Sequence, residues 1–145
     1  MKKTDLELLT SIYQNAKTAT QSINDILPAV TEKELKHELS NEITEYELII
    51  KQCEMIAGNR AEELKDNSWF EKAKLWTSIK MTTLTNKSTR HLTEMLLIGT
   101  VMGTLQCYKD IADYKNATKE LLLLCGKLLS LEEKFFNNLK DFLKS

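Results

Sequence analysis

Apolar residues recur at helical spacing through two long segments of the N-terminal half. In residues 4–27 they return every three or four positions until Pro28, which cannot continue a helix. Residues 32–57 repeat the pattern and end at Gly58, followed by an asparagine, a common helix C-cap. The connection between the two segments is short, so we expect helices one and two to form an antiparallel hairpin.

Capping sequences locate the predicted helix starts. The stretches "TDLE" at 4–7 and "TEKE" at 31–34 have the spacing of a capping box, with Thr4 and Thr31 as N-caps. Ser88 is the corresponding candidate for the N-cap of a third helix. The sequence therefore predicts three helices with defined beginnings.

The C-terminal half predicts two further helices of different character. Residues 88–111 are apolar on almost every side, which predicts a central, largely buried helix. Gly99 and Gly103, in "GTVMG", are expected to let a neighbouring helix approach closely. Residues 117–143 have a clear stripe of leucine and phenylalanine, and Asn116 is a plausible cap for this helix.

The segment 60–87 between the hairpins has a weaker apolar stripe and a basic balance of charge, and it predicts a shorter helix over 68–85. Its large apolar residues exceed what one stripe can bury, which predicts a homodimer or partner contact unless they cover the core. These residues are Trp69, Phe70, Leu75, Trp76 and Ile79.

Two hairpins joined by a long connection predict an all-α, ferritin-like four-helix bundle. The connection is then a partly helical crossover between helices two and three, and these two helices run parallel. We expect residues 1–145 to form a single domain.

The composition agrees with the all-α class and bears on the partners and the cellular location of the protein. The chain has 145 residues but only four Gly and one Pro, as expected of a helical protein. A formal net charge of −1 gives no reason to expect nucleic acid or an anionic membrane as partner. No apolar run reaches the roughly 20 residues of a membrane span, and none resembles a signal peptide. Three cysteines without a CxxC motif predict a reduced, cytoplasmic protein.

Three stretches resemble known families. The segment "MTTLTNKSTRHLTEMLLIGTVMG" is similar to ferritin-like helical-bundle proteins of unknown function from clostridial and gut Firmicutes. The segments "ELLTSIYQNAKTATQSINDIL" and "ELKHELSNEITEYELIIKQ" resemble the helical hairpin of coat-F-type spore proteins. The resemblance implies a bacterial, spore- or stress-associated helical bundle.

Only one Glu-x-x-His motif, the usual ligand pair of a ferritin-like di-metal site, occurs in the chain. It is "ELKH" at 34–37, and we expect it to bind no metal. Glu34 is the last residue of the predicted capping box, whereas His37 falls roughly opposite the apolar stripe of its helix.

Four other residues form a candidate metal site: Glu42, His91, Glu94 and Glu132. Glu42 and Glu132 lie on the apolar stripes of helices two and four, whereas His91 and Glu94 share a sector with Met95. In the crossover topology all four approach one end of the bundle. Three carboxylates and one histidine suit a single divalent ion, not a di-iron centre.

Two alternatives to the metal site remain open. The four residues could form a hydrogen-bonded polar cluster, with Lys80 as a partner of Glu42 or Glu132. They could also be partly exposed carboxylates with neither role.

No catalytic motif occurs in the chain, because it lacks a glycine-rich phosphate loop, HExxH and GxSxG. Cys53, Cys107 and Cys125 lie on or near apolar stripes, which favours core packing over nucleophilic chemistry. We therefore predict a non-enzymatic structural or protein-interaction bundle without a cofactor, which binds a protein partner or its own copy. The alternative is a degenerate ferritin-like protein that binds one divalent ion for redox or storage.

Overall fold

Four α-helices account for most of the computed structural model, which describes residues 1–65 and 86–145. These helices are α1 (Lys3–Ile26), α2 (Lys33–Ala57), α3 (Thr89–Asp113) and α4 (Lys119–Leu139). Short 3₁₀ segments are formed by Leu27–Ala29, Gly58–Lys65 and Lys140–Lys144. The all-α class is confirmed, and no strand occurs in the described ranges. The predicted helix over 68–85, with its tryptophans and Lys80, lies outside them.

Hydrogen bonds between α1 and α3 define their relative direction. Ser11 of α1 donates to Asp110 of α3 at 2.7 Å. Asn15, one turn later in α1, donates to the carbonyl oxygen of Gly103 at 3.1 Å. Because the position in α3 moves backwards as the position in α1 moves forwards, the two helices are antiparallel.

The helices α2 and α4 are also antiparallel. The side chain of Asn138 donates to Glu38 at 2.9 Å, and that of Lys127 donates to Gln52 at 3.5 Å. Since residues 27–32 join α1 and α2 as a hairpin, α2 and α3 point in the same direction. Long connections are needed between consecutive helices that run parallel.

Both capping-box predictions are wrong. Helix α1 already includes Thr4, and its N-cap Lys2 makes no side-chain hydrogen bond. In α2 the N-cap is not Thr31 but Glu32, whose carboxylate accepts from the backbone N–H of Glu34 at 3.4 Å. A capping box requires its first residue to be the last non-helical one, and neither threonine has that position.

The starts of α3 and α4 are capped by different means. Ser88 Oγ accepts from the backbone N–H of His91 at 3.2 Å, which confirms the predicted cap. The N-cap of α4 is Thr118, not Asn116. Its backbone N–H and hydroxyl both donate to Asp5, at 2.9 and 2.6 Å. These bonds stabilise the carboxylate and lower the pKa of Asp5. The first turn of α1 thus caps α4.

The core lies between the four helices, along the stripes predicted for α1, α2 and α4. Its fully buried side chains include Leu8, Leu9, Ile12, Leu35, Leu39, Tyr46, Leu128 and Phe135. The predicted C-cap of α2 is confirmed at Gly58, whose φ of 60° is in the region that favours glycine. Gln14 donates to the carbonyl oxygen of Leu64 at 2.8 Å and holds the segment after α2 against α1.

Helix α3 is not the central, largely buried helix that its sequence predicts, because one of its sides is exposed. Leu96, Thr100 and Cys107 face the core, whereas Ile98 and Met102 remain 51% and 56% exposed. Because nearly every position of α3 is apolar, hydrophobicity does not distinguish its inner side from its outer side.

Candidate functional site

The four residues of the predicted metal site occupy two environments. Glu42 and Glu132 are buried, with 3% and 1% of their surface exposed. His91 and Glu94 pair with each other at the solvent-facing start of α3, at 3.6 Å between Nδ1 and Oε2. The prediction that Glu94 lies inward is wrong, since 48% of its side chain is exposed. Because this helix is apolar on almost every side, the position of Glu94 around the helix axis does not indicate whether it faces the core.

The described parts of the chain contain no group of three or more His, Cys, Asp or Glu side chains that could hold a metal ion. The predicted set of Glu42, His91, Glu94 and Glu132 is therefore not assembled as a single-ion site among these residues. Different neighbouring side chains act on the pKa values of the two buried carboxyl groups.

Glu132 on α4 is surrounded by side chains from the other three helices: Asn15 of α1, Tyr46 of α2 and Cys107 of α3. The thiol of Cys107 donates to Oε1 of Glu132 at 3.5 Å. Burial raises the pKa of Glu132 to about 8, although the three neighbouring neutral side chains oppose the shift. At neutral pH this carboxyl group is therefore mostly protonated.

Close approach of α3 to α4 depends on the missing side chain of Gly103. A Cβ at this position would overlap Oε2 of Glu132 and lie 2.7 Å from its Cδ and 3.0 Å from Oδ1 of Asn15. A Cβ at Gly99 would have no atom within 4 Å. Of the two glycines predicted to allow a close approach, only Gly103 does so.

Tyr46 is fully buried and packs edge-to-face on Phe135, with ring centroids 6.3 Å apart. Its hydroxyl is near enough to Glu132 to lower the pKa of that carboxyl group. Nevertheless it makes no hydrogen bond of normal geometry with any described residue. Burial, followed by the nearby charges of Glu132 and Glu42, raises the pKa of Tyr46 well above its usual value. The phenol is thus a neutral group with unused hydrogen-bonding capacity.

Glu42 lies one turn before Tyr46 on α2. Burial and then the neighbouring Glu38 raise the pKa of Glu42 to about 7, while Lys134 opposes the shift. Its Oε2 has no hydrogen-bond partner among the residues described. Glu42 is therefore a second buried carboxyl group that titrates near neutral pH.

A cavity of about 120 Å³ lies between α1 and α3 and reaches Glu132. Glu132, Asn15 and Tyr46 line it at the level of Gly103, whereas Met95 and Ile26 lie about two to three turns further along the bundle. Its walls are otherwise mainly apolar. We call it the Glu132 cavity.

All three cysteines are buried and free of disulfides. Burial raises the pKa of the Cys53 thiol to about 12. The neighbouring Cys125, together with burial, raises that of Cys107 further. Thiols with raised pKa values are poor nucleophiles, because the thiolate is the reactive form.

The sequence interpretation missed the site's non-carboxylate members. Asn15 lies three residues after Ile12 on the inner face of α1, so its position was readable as a polar interruption of the stripe. Carboxylates and histidines identify candidate metal ligands in a sequence, whereas a tyrosine on an apolar stripe predicts only packing.

No protein-family model, curated protein or solved structure matches this chain. None of the helices in the described ranges combines the length and apolarity required to cross a bilayer.

Proposed function

We propose that the protein is a non-enzymatic, ferritin-like helical bundle without a cofactor, and that it functions by associating with a second copy of itself through α3. The observation that favours this is a row of exposed apolar residues on α3, each 51–58% accessible. We call this row the α3 stripe: Ile98, Val101, Met102, Leu105 and Tyr108.

Spacing along the helix makes the α3 stripe one continuous surface. Its members follow one another at intervals of one or three residues, and therefore share one side of the helix over about 15 Å. Continuous apolar surface of this kind is typical of association sites, whereas isolated apolar residues are common on any surface. Beside the stripe, Leu105, Tyr108 and Phe136 line a groove of about 410 Å³ between α3 and α4. This groove has room for side chains of a partner helix.

Charged residues at the two ends of the stripe favour a second copy as the partner. Arg90 and Glu94 precede the stripe, and Lys109 and Asp113 follow it; all four are exposed. A two-fold axis between positions 101 and 102 would pair two antiparallel α3 helices. It would place Glu94 opposite the second copy's Lys109, and Arg90 opposite its Asp113.

A parallel pairing in register would instead place each charge opposite its own copy, which is unfavourable. Symmetric dimers bury the same patch on both subunits, and the α3 stripe is self-complementary only when the helices are antiparallel. Each rim ion pair contributes little affinity, so these charges define orientation and the apolar residues supply the binding energy.

Sedimentation equilibrium at micromolar concentrations tests the proposal. We expect a concentration-dependent dimer for the wild type and a monomer for Leu105→Glu, which places a charge within the stripe. Leu123→Glu is the matched control, because Leu123 is 65% exposed but lies on α4 outside the stripe. A wild type that stays monomeric, or equal dissociation by both variants, would refute the proposal.

Charge reversal tests the antiparallel orientation. Glu94→Lys and Lys109→Glu should each weaken the dimer, and the combination should recover part of the loss, since the two residues face each other across the axis. Losses that simply add would contradict this arrangement.

Other observations support the remaining parts of the proposal. The shared direction of α2 and α3 supports a ferritin-like arrangement, in agreement with the resemblance of the sequence. Three free cysteines support a reducing, cytoplasmic setting. The raised pKa values of the buried Cys53 and Cys107 thiols support a non-enzymatic role.

A further inference from the structure

We propose that the Glu132 cavity binds a small primary amine whose apolar body is about the size of a benzene ring. This site is distinct from the proposed dimer surface. The two share Met102 but have different ligands, and each has its own test.

The dimensions of the cavity define the apolar part of the ligand. Its volume is about 120 Å³, and apolar cavities of roughly 150 Å³ in proteins bind benzene. The walls around the body are supplied by Ile23, Ile26, Leu96 and Phe135. They offer no charged group, so the body of the ligand must be uncharged and apolar.

The polar end of the cavity defines the head group. Glu132 and Tyr46 are both at least nine-tenths buried and line this end. A buried carboxylate is stable only with a compensating partner. Among the described residues, the side chains that stabilise the charged form of Glu132 are all neutral, and none is a cation. A cationic ligand would supply the positive charge that stabilises the ionised form of Glu132.

An ammonium group matches the available acceptors. It has three N–H donors and no acceptor. The oxygens of Glu132 and the hydroxyl oxygen of Tyr46 accept hydrogen bonds, and Tyr46 has no partner of normal geometry in the described structure. A carboxylate ligand would repel ionised Glu132, and an alcohol carries no positive charge with which to stabilise the ionised form.

Proton linkage provides a signature of this site. Among the described residues, the groups that face Glu132 are Asn15 from α1, Tyr46 from α2 and Cys107 from α3, none of which titrates below neutral pH. Glu42 is also near Tyr46 and has a pKa of about 7. The pKa of Glu132 is about 8, so an incoming ammonium ion must displace its proton, which passes to solvent. Affinity should therefore rise by about tenfold per pH unit until about pH 8.

Gly99 lies at the accessible side of the cavity. It is exposed, and a Cβ built there would have no atom within 4 Å. A larger residue at this position can therefore obstruct the cavity without disturbing the packed core.

Isothermal titration calorimetry with benzylamine, between about pH 6 and about pH 8, tests the proposal on the whole protein. We expect benzylamine to bind with proton release and with the pH dependence given above. Benzyl alcohol, which has the same body but no charge, should bind at least tenfold more weakly near pH 8. Glu132→Gln should abolish the preference for the amine, whereas Glu133→Gln, an exposed neighbour, should leave it unchanged.

A second variant tests the location independently. Gly99→Leu should retain the helical fold, because leucine is a better helix former than glycine, yet it should weaken benzylamine binding at least tenfold. Equal affinity for the amine and the alcohol, affinity independent of pH, or full binding by Gly99→Leu would each overturn the proposal. Absence of benzylamine binding to the wild type would overturn it as well.

Discussion

The carboxyl group of Glu132 occupies the space that a side chain at position 103 would need. A Cβ on Gly103 would overlap Oε2 of Glu132, and Glu132 is held there by neighbours from α1, α2 and α3. The missing side chain of Gly103 thus leaves the space that the buried carboxyl group of Glu132 fills. Each should be sensitive to changes in the other.

Gly103→Ala should destabilise the protein by about 1–3 kcal/mol, the usual cost of overpacking a core. Chemical denaturation monitored by circular dichroism measures this change. Gly126→Ala is the matched control, because a Cβ at this helical position has no atom within 4 Å. The control should gain up to about 1 kcal/mol from helix propensity.

The same overlap predicts strong coupling between the two sites. When Glu132 is replaced by Ala, the obstructing carboxyl group is gone, so adding Gly103→Ala should cost far less than it does in the wild type. A cost that is unchanged in the Glu132→Ala background would show that the obstruction lies elsewhere.

Glu132→Gln should stabilise the protein, by an amount that increases with pH. The folded-state pKa of Glu132 is about 8, against an ordinary value of 4.5, so the folded state binds more protons between these values. The free energy of unfolding therefore decreases as pH rises through this window, by up to about 1.4 kcal/mol per pH unit from this residue. The variant lacks that decrease.

Denaturant unfolding of both proteins at several pH values measures the effect. The two curves should nearly coincide below about pH 4.5 and separate progressively up to about pH 8. Glu42 titrates in the same window and should affect both proteins equally. A variant that is less stable than the wild type at neutral pH would indicate that ion pairing of Glu132 outweighs its burial.

The three cysteines should be unreactive in the folded protein. Cys53, Cys107 and Cys125 are buried, and the raised pKa values of Cys53 and Cys107 disfavour their thiolates. We expect Ellman's reagent to label none of them in the native state and all of them in denaturant. Fast labelling of a native thiol would contradict core packing and reopen a chemical role for that residue.

His37→Ala should leave the free energy of unfolding within about 0.5 kcal/mol of the wild type. The structure places His37 on the exposed side of α2, as its spacing predicts. Leu39→Ala, at a fully buried position two residues later, is the contrasting variant and should lose about 2–5 kcal/mol. A comparable loss at His37 would refute its assignment to the surface.

The sequence by itself determined the helical class and the inner faces of three helices. In α1, α2 and α4 apolar and polar residues alternate at helical spacing, so only one orientation buries the apolar side. Glu42 and Glu132 were correctly assigned to the interior for this reason, and His37 to the surface. The spacing of apolar residues predicts the inner face of a helix when one side of the helix is apolar and the other is polar.

Tertiary structure alone decided the orientation of α3 and the composition of the site. Helix α3 is apolar on nearly all sides, so its inner face depends on which side its neighbours cover, and Glu94 consequently faces solvent. Glu132 is surrounded by Asn15, Tyr46 and Cys107, which come from three other helices and are distant in sequence. A buried polar group requires partners that complement it in space, and spacing along one helix holds no information about the side chains that another helix presents.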